Sequence, residues 1–194
     1  DVEELVDHVL GSDTTYGQLD SLCDLLTSIQ EYAGVVKVRE RILADTERAF
    51  GAESEEVGEA LYELGEPYIN LGDSAKARDA YERALPIYER EYDSDSEELA
   101  GLLNNLGIAH GDLGDYAKQR DVLERALPVM EREHGEESTE VAVVLGNLGN
   151  AFMSLGDYAK QRDVLERALP IFEREQGKES TNVAVVLGNL GIAY

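Results

Sequence analysis

The stretch LGDYAKQRDVLERALPVMEREHGEESTEVAVVLGNLGNAFMS begins at Leu113 and returns almost letter for letter at Leu155, 42 residues on. A looser copy, LGDSAKARDAYERALPIYEREYDSDSEELAGLLNNLGIAHGD, begins at Leu71, again 42 residues away. A fixed period of this size excludes a single globular centre. Each copy is one supersecondary unit that cannot cover its own apolar face, so neighbours must stack to form a continuous core. Length, which alone allows one or two domains, is overridden by the period.

Each copy reads as two helices. Val141, Val144, Leu145, Leu148, Ala151, Phe152 and Leu155 recur at three- and four-residue intervals and make one apolar helix face, helix A. Gly156-Asp157 follows: glycine can close a helix in the left-handed conformation, and aspartate can cap the next. Gly72-Asp73 and Gly114-Asp115 repeat that break. Helix B then points Tyr158, Val164, Leu165, Ala168, Leu169 and Phe172 inward, and Gly135 and Gly177 mark the turn to the next copy. Pro86, Pro128 and Pro170 fall mid-way along helix B, where a proline costs about 3 kcal/mol in an ordinary helix interior. The apolar pattern continues past each, through Ile87, Met130 and Phe172, so a kink is expected in place of a break.

A degraded copy precedes these. Tyr16–Ile29 is expected as a helix A with Leu19, Leu22, Leu26 and Ile29 inward, and Tyr32–Phe50 as its helix B. Cys23 falls at the register of Gly65 and Gly107. Asp1–Leu10 is a remnant of an earlier helix B or a short cap. Asn182–Tyr194 is a helix A with no helix B after it, as in a piece cut from a longer chain or an open end that docks elsewhere. The expected organisation is therefore a remnant or cap at 1–12 and a repeat array at 13–194. Its units run near 13–54, 55–96, 97–138 and 139–180, with a partial one at 181–194.

At the spacing Leu61-x-x-Leu64-Gly65-x-x-Tyr68, followed by Ala77, Tyr81 and Ala84, the chain resembles the tetratricopeptide repeat family, in the 42-residue form typical of kinesin light chains. Leu103, Leu106, Gly107 and His110, then Leu123 and Ala126, repeat the pattern, as do Leu145, Leu148, Gly149 and Phe152, then Leu165 and Ala168. Gln119 and Gln161 depart from it, standing where a small alanine is usual. The resemblance implies an all-α fold, a right-handed superhelical α-solenoid of antiparallel helix pairs. It also implies that helix A lines a concave groove, which in this family holds an extended peptide.

Carried over by register, the groove positions of the first clear unit include Glu59, Tyr62, Glu63, Glu66 and Asn70. The next offers Asn104, Asn105, Ile108 and Asp112, and the third offers Val143, Gly146, Asn147, Asn150 and Met153. The last offers Val185, Gly188, Asn189 and Ile192. Asn105, Asn147 and Asn189 form a column, one per repeat. A carboxamide can bond both the N–H and the C=O of a peptide main chain without reading its sequence. It can equally tie neighbouring helices together, and the residues alone leave both roles open.

Charge placement narrows the partner. The formal charge is −24, from 41 acids and 17 bases. Every base except Lys178 lies on a helix B run, where four-residue pairs such as Arg120/Glu124 and Asp121/Arg125 read as a neutralised outer face. Helix A carries no Lys or Arg, so the inner wall is expected to lack cations. Asp20, Asp24, Glu59, Glu63 and Glu66 make its N-terminal half acidic, which favours a Lys/Arg-rich partner. Nucleic acid is disfavoured, because that affinity rests on cationic contacts to phosphate. A clamp for a terminal carboxylate and a reader of acidic cargo motifs are disfavoured for the same lack of groove bases.

Other chemistry is thinly supported. His8, His110 and His134 are not at metal-ligand spacing, and His110 stands at the register of Tyr68 and Phe152, a packing position. Asp93-Ser94-Asp95-Ser96-Glu97 suggests a calcium loop but lacks the required glycine and distal glutamate. No run approaches the roughly 20 apolar residues of a membrane span. One cysteine forms no internal disulfide and suits an intracellular, cytoplasmic setting. The expectation is a non-enzymatic, cofactor-free scaffold that binds a peptide in its groove. The alternatives are a self-assembling spacer joined through its open C-terminal helix, and a regulatory sensor arm of a larger multidomain protein.

Overall fold

The computed structural model describes residues 2–11 and 14–193, so the expected segment ends at Asp1, Ser12, Asp13 and Tyr194 lie outside the described residues. The described residues form ten helices in consecutive antiparallel pairs. They are α1 (Val2–Leu10), α2 (Tyr16–Ser28), α3 (Tyr32–Phe50), α4 (Glu55–Asn70) and α5 (Ser74–Glu91), then α6 (Glu97–Asp112), α7 (Tyr116–His134), α8 (Thr139–Ser154), α9 (Tyr158–Gln176) and α10 (Thr181–Ala193). The backbone divides into two compact units, one up to Glu91 and one from Tyr92. In the first, α2 packs on α3, α3 on α4 and α4 on α5. In the second, α6 to α10 repeat that succession.

The breaks are built from a few residues in fixed register. Gly72, Gly114 and Gly156 take φ +77°, closing α4, α6 and α8. Asp73, Asp115 and Asp157 then cap helix B, accepting from Lys76 N at 3.2 Å, Lys118 N at 3.4 Å and Lys160 N at 3.2 Å. A second set of caps starts helix A: Ser54, Ser96 and Ser138 accept from Val57 N at 3.3 Å, Leu99 N at 3.2 Å and Val141 N at 3.2 Å. The Asp93–Glu97 stretch is thus a helix start, and among the described residues no group of three or more His, Cys, Asp or Glu side chains could hold a metal ion.

Each pair closes on the glycine of its helix A. A Cβ on Gly65 would meet Tyr81 Cζ at 2.1 Å; on Gly107, Leu123 Cδ2 at 2.8 Å; on Gly149, Leu165 Cδ2 at 2.5 Å. Gln119 and Gln161 are buried despite their amides, and Gln161 Nε2 donates to the Asn189 carbonyl at 3.0 Å, tying α9 to α10. His110 is buried, as its packing register predicts. The helices α5, α7 and α9 run unbroken through Pro86, Pro128 and Pro170. Those prolines are exposed, so the carbonyl left unpaired one turn back is on a face that water reaches.

Three inward assignments fail at helix ends. Ile29 is 52% exposed because α2 stops at Ser28 and Ile29 sits in the turn. Leu155 and Tyr158 flank the Gly156–Asp157 break and are likewise exposed. At the N-terminus α1 packs on α3, burying Val6, and Lys37 bonds Glu3 and Asp7, both at 3.1 Å.

The outer face keeps four-residue pairs, Arg41 with Asp45 at 2.6 Å and Arg78 with Glu82 at 4.0 Å, and adds other links. The closest partner of Arg120 is the adjacent Asp121, at 2.5 Å. Longer links join one helix B to the repeat before it. Arg83 bonds Glu47 at 2.5 Å, and its register equivalent Arg167 bonds Glu131. Arg90, Arg132 and Arg174 each donate to a carbonyl in the turn of the preceding repeat, at Glu53, Asp95 and Glu137. No helix among the described residues is long and apolar enough to cross a membrane.

Candidate functional site

In the second unit the A helices pack on one another, α6 on α8 and α8 on α10, while the B helices are linked through the long arginines. The A side is thereby the tighter side of that unit, and it carries Asn104 and Asn105, Asn147 and Asn150, and Asn189, all half-buried. Asn189 Nδ2 donates to Asn150 Oδ1 at 2.8 Å, so this pair does tie α10 to α8. On α6, Asn104 Nδ2 donates to Asn105 Oδ1 at 3.3 Å.

Between α8 and α10 lies a cleft of about 180 Å³. Asn147, Asn150, Asn182 and Asn189 line it with amides, Val143, Val185 and Val186 with aliphatic carbon, and Leu165 and Phe172 of α9 form its floor. None of these is charged, in a chain of net charge −24. Gly146 lines it too, and a Cβ there would meet nothing within 4 Å. Gly188 is open in the same way, and the Ile192 side chain lies outside the described residues.

The first unit has a different wall. Glu59, Glu63, Glu66 and Asn70 are exposed on α4, and Tyr62 is half-buried with its ring 6.1 Å from that of Tyr81 and 6.0 Å from that of Tyr88. Arg39 overturns the expectation of a wall without cations. It lies on helix B, but at the register of Tyr81, Leu123 and Leu165, the residues that point into the pair. Its guanidinium therefore passes inward and bonds Glu63 Oε2 at 2.7 Å and Asp20 Oδ1 at 2.9 Å, with only 13% of its side chain exposed. Two of the five acids counted on the inner wall are thus already paired. Burial raises the Glu63 pKa above the ordinary glutamate value, Arg39 opposes the rise, and Asp20, Glu59 and Asp24 add to it. Counting bases by helix hid Arg39; counting by register exposes it.

The tetratricopeptide repeat family model matches residues 56–132, 98–174 and 140–194 in overlapping passes. The chain belongs to the tetratricopeptide repeat family. Its fold is that of crystallised repeats from Podosopora anserina assigned to a kinesin light chain, at TM-score 0.75 and 17% identity, over 91% of this chain and 83% of that one. BtubC (BKLC) from P. vanneervenii is similar at TM-score 0.72 and 25% identity, over 92% of this chain and 71% of that one. The apo form of RapI is similar at TM-score 0.68 and 17% identity; 98% of this chain matches 52% of RapI, about half its length. No curated protein matches the sequence. Tetratricopeptide repeats are generally protein-interaction scaffolds.

Proposed function

We propose that this tetratricopeptide repeat chain binds an extended peptide segment of a partner protein along its A helices. The observation that carries the reading is the uncharged cleft between α8 and α10, where the carboxamides of Asn147, Asn150 and Asn189 converge. Such amides can satisfy a peptide backbone removed from water, where an unpaired polar group would cost about 1–3 kcal/mol. In the first unit the exposed Glu59 and Glu66 favour a Lys/Arg-bearing segment. The test is selection of binders from a random peptide library, followed by the combined change of Asn105 and Asn147 to Ala, which leaves the Asn189–Asn150 bond in place. Loss of the selected peptides with little change in melting supports the reading. Retention of all binding would remove it.

A further inference from the structure

Two positions of helix B hold an exceptional residue in the first unit, and both border one cavity. Where α5, α7 and α9 carry Pro86, Pro128 and Pro170, α3 carries Ala44 at the same register. Where α3, α7 and α9 carry Val38, Val122 and Val164, α5 carries Ala80. Ala44 and Ala80 line a cavity of about 360 Å³ between α3 and α5. That volume falls within the roughly 300–1,000 Å³ of small-molecule sites. Leu61 and Leu64 form its floor, on the face of α4 opposite Glu59 and Glu63. The cavity is therefore separate from the A-helix wall. In the second unit the same two positions, on α7 and α9, hold the larger side chains of Pro128 and Val164.

The rim is charged, and its charges balance one by one with a single exception. Glu47 is met by Arg83 at 2.5 Å, and Asp79 by Arg78 at 2.6 Å. Lys76 is met by Asp73 at 3.6 Å, and its ammonium lies 5.2 Å from the centre of the Tyr68 ring. Glu40 is the exception. Its Oε1 accepts from the Tyr68 hydroxyl at 2.5 Å, and among the described residues no Lys or Arg pairs with it. Tyr68 is 6% exposed, so packing fixes the hydroxyl, which in turn holds the carboxylate at one end of the cavity. A hydroxyl is neutral and leaves the charge of Glu40 unanswered. Glu47, seven residues on, lies about 10 Å further along α3, and the carbon of Leu43 and Ala44 fills the interval.

We infer that this cavity binds an alkylammonium group, its nitrogen on Glu40 and its hydrocarbon stem along Leu43, Leu61 and Leu64. An uncharged ligand would leave the Glu40 carboxylate without a counter-charge, and an anionic one would oppose it. The stem covers the carbon that proline and valine cover at these registers in the other B helices. The site does not depend on the peptide reading, since it lies between B helices and uses none of the asparagines. A free amine and the lysine side chain of a partner protein offer the same group.

The test uses the whole chain with ¹³C-labelled leucine methyls, at about 0.15 M salt to screen diffuse attraction. The probes are n-pentylamine, pentan-1-ol, pentanoate and Nα-acetyl-lysine methylamide. The methyl signals of Leu43, Leu61 and Leu64 are expected to move with pentylamine, at a Kd at least about tenfold below those of the alcohol and the acid. Glu40→Gln keeps an acceptor for Tyr68 and removes the charge, so the amine should then bind no better than the alcohol. Ala80→Val installs the residue of the other B helices and should weaken the amine at least about tenfold. Circular dichroism checks its fold, and Ala44→Leu fills the cavity from the other wall if Ala80→Val misfolds. Leu145 and Leu148, at the register of Leu61 and Leu64 in the second unit, report cations gathered by an acidic chain in general. The proposal is overturned if the alcohol or the acid matches the amine, or if Glu40→Gln leaves amine binding intact. It is equally overturned if Leu145 and Leu148 move with the same Kd, or if no probe moves the Leu43 methyls. Binding of the lysine derivative beside pentylamine assigns the site to a partner's lysine, and binding of pentylamine alone assigns it to a free amine.

Discussion

Arg39 Nη1 on α3 stands 2.7 Å from Glu63 Oε2 on α4, a contact between the helix B of one repeat and the helix A of the next. The same guanidinium reaches Asp20 on α2, so one buried cation joins three helices of the first unit. The cation is the desolvated partner: 13% of the Arg39 side chain is exposed, against 44% for Asp20 and 41% for Glu63. Removing one partner of such a group leaves the others desolvated and unpaired.

The titration of Glu63 follows from that arrangement. Burial raises its pKa and Arg39 lowers it, so Arg39→Leu, which installs the residue found at this register in α7 and α9, should raise it further. A carboxyl whose folded pKa lies above its unfolded value binds protons more tightly when folded. Its contribution to stability is therefore greatest in acid and declines as pH rises through the folded pKa. Arg39→Leu should widen that declining window, giving a steeper loss in urea midpoint between acid and neutral pH than in the parent protein. Side-chain carbon NMR of Glu63 gives the pKa directly. A value unchanged or lowered in Arg39→Leu would contradict the assignment.

Two glycines on α8 should respond oppositely to the same substitution. Gly149→Ala drives a methyl to within 2.5 Å of Leu165 Cδ2 and should destabilise by about 1–3 kcal/mol through overpacking. Gly146→Ala meets nothing and should stabilise by about 0.5–1 kcal/mol through helix propensity. Urea denaturation of the two variants decides the matter, and a loss of stability in both would show that the open side of Gly146 is tighter than described.

The repeat period made most of the architecture legible before any coordinates, because one residue type recurs at each mechanical position. Glycine at φ +77° ends helix A, aspartate caps helix B, and leucine at a fixed spacing faces inward. The bounds of α3 were readable as Tyr32–Phe50 from the same alignment. What escaped were features created between repeats. The reach of Arg90, Arg132 and Arg174 to the preceding turn depends on how pairs stack, which no single copy encodes. Ile29 satisfied the helical spacing but fell past the last turn of α2. The asparagine column was found by register, but the contacts of its members were not. Asn189 bonds Asn150, and both line the same cleft as Asn147.

Cys23 should be a slow thiol. It is buried at the close-approach position of α2, and burial pushes its pKa up to about 11. At pH 8 the thiolate fraction of a group with that pKa is on the order of 10⁻³, so alkylation must proceed mainly through opening of the first unit. Iodoacetamide labelling of the native chain should be at least about tenfold slower than of the urea-unfolded chain. Arg39→Ala, which loosens the joint beside Cys23, should accelerate it. Equal rates in the native and unfolded chains would mean that α2 does not pack on α3 as described.

The arginine clasps on the outer face should matter far less than Arg39, although they are more numerous. Arg132 Nη1 bonds Asp95 Oδ2 at 3.0 Å and Arg174 Nη1 bonds Glu137 Oε2 at 2.7 Å, and both arginine side chains are about half exposed. Exposed pairs of this kind contribute little, because water screens the charges and ordering the long side chains costs entropy. Arg132→Ala and Arg174→Ala should therefore each lower the urea midpoint only slightly, and the double variant should show close to the sum, since the clasps share no partner. Part of each loss should persist in molar salt, because the guanidinium also donates to the neutral carbonyls of Asp95 and Glu137. Arg39→Ala, measured in the same urea series, should cost more than either. If an outer clasp instead costs as much as Arg39→Ala, then the stacking of helix B on the preceding turn, and not the paired A helices, holds neighbouring repeats together.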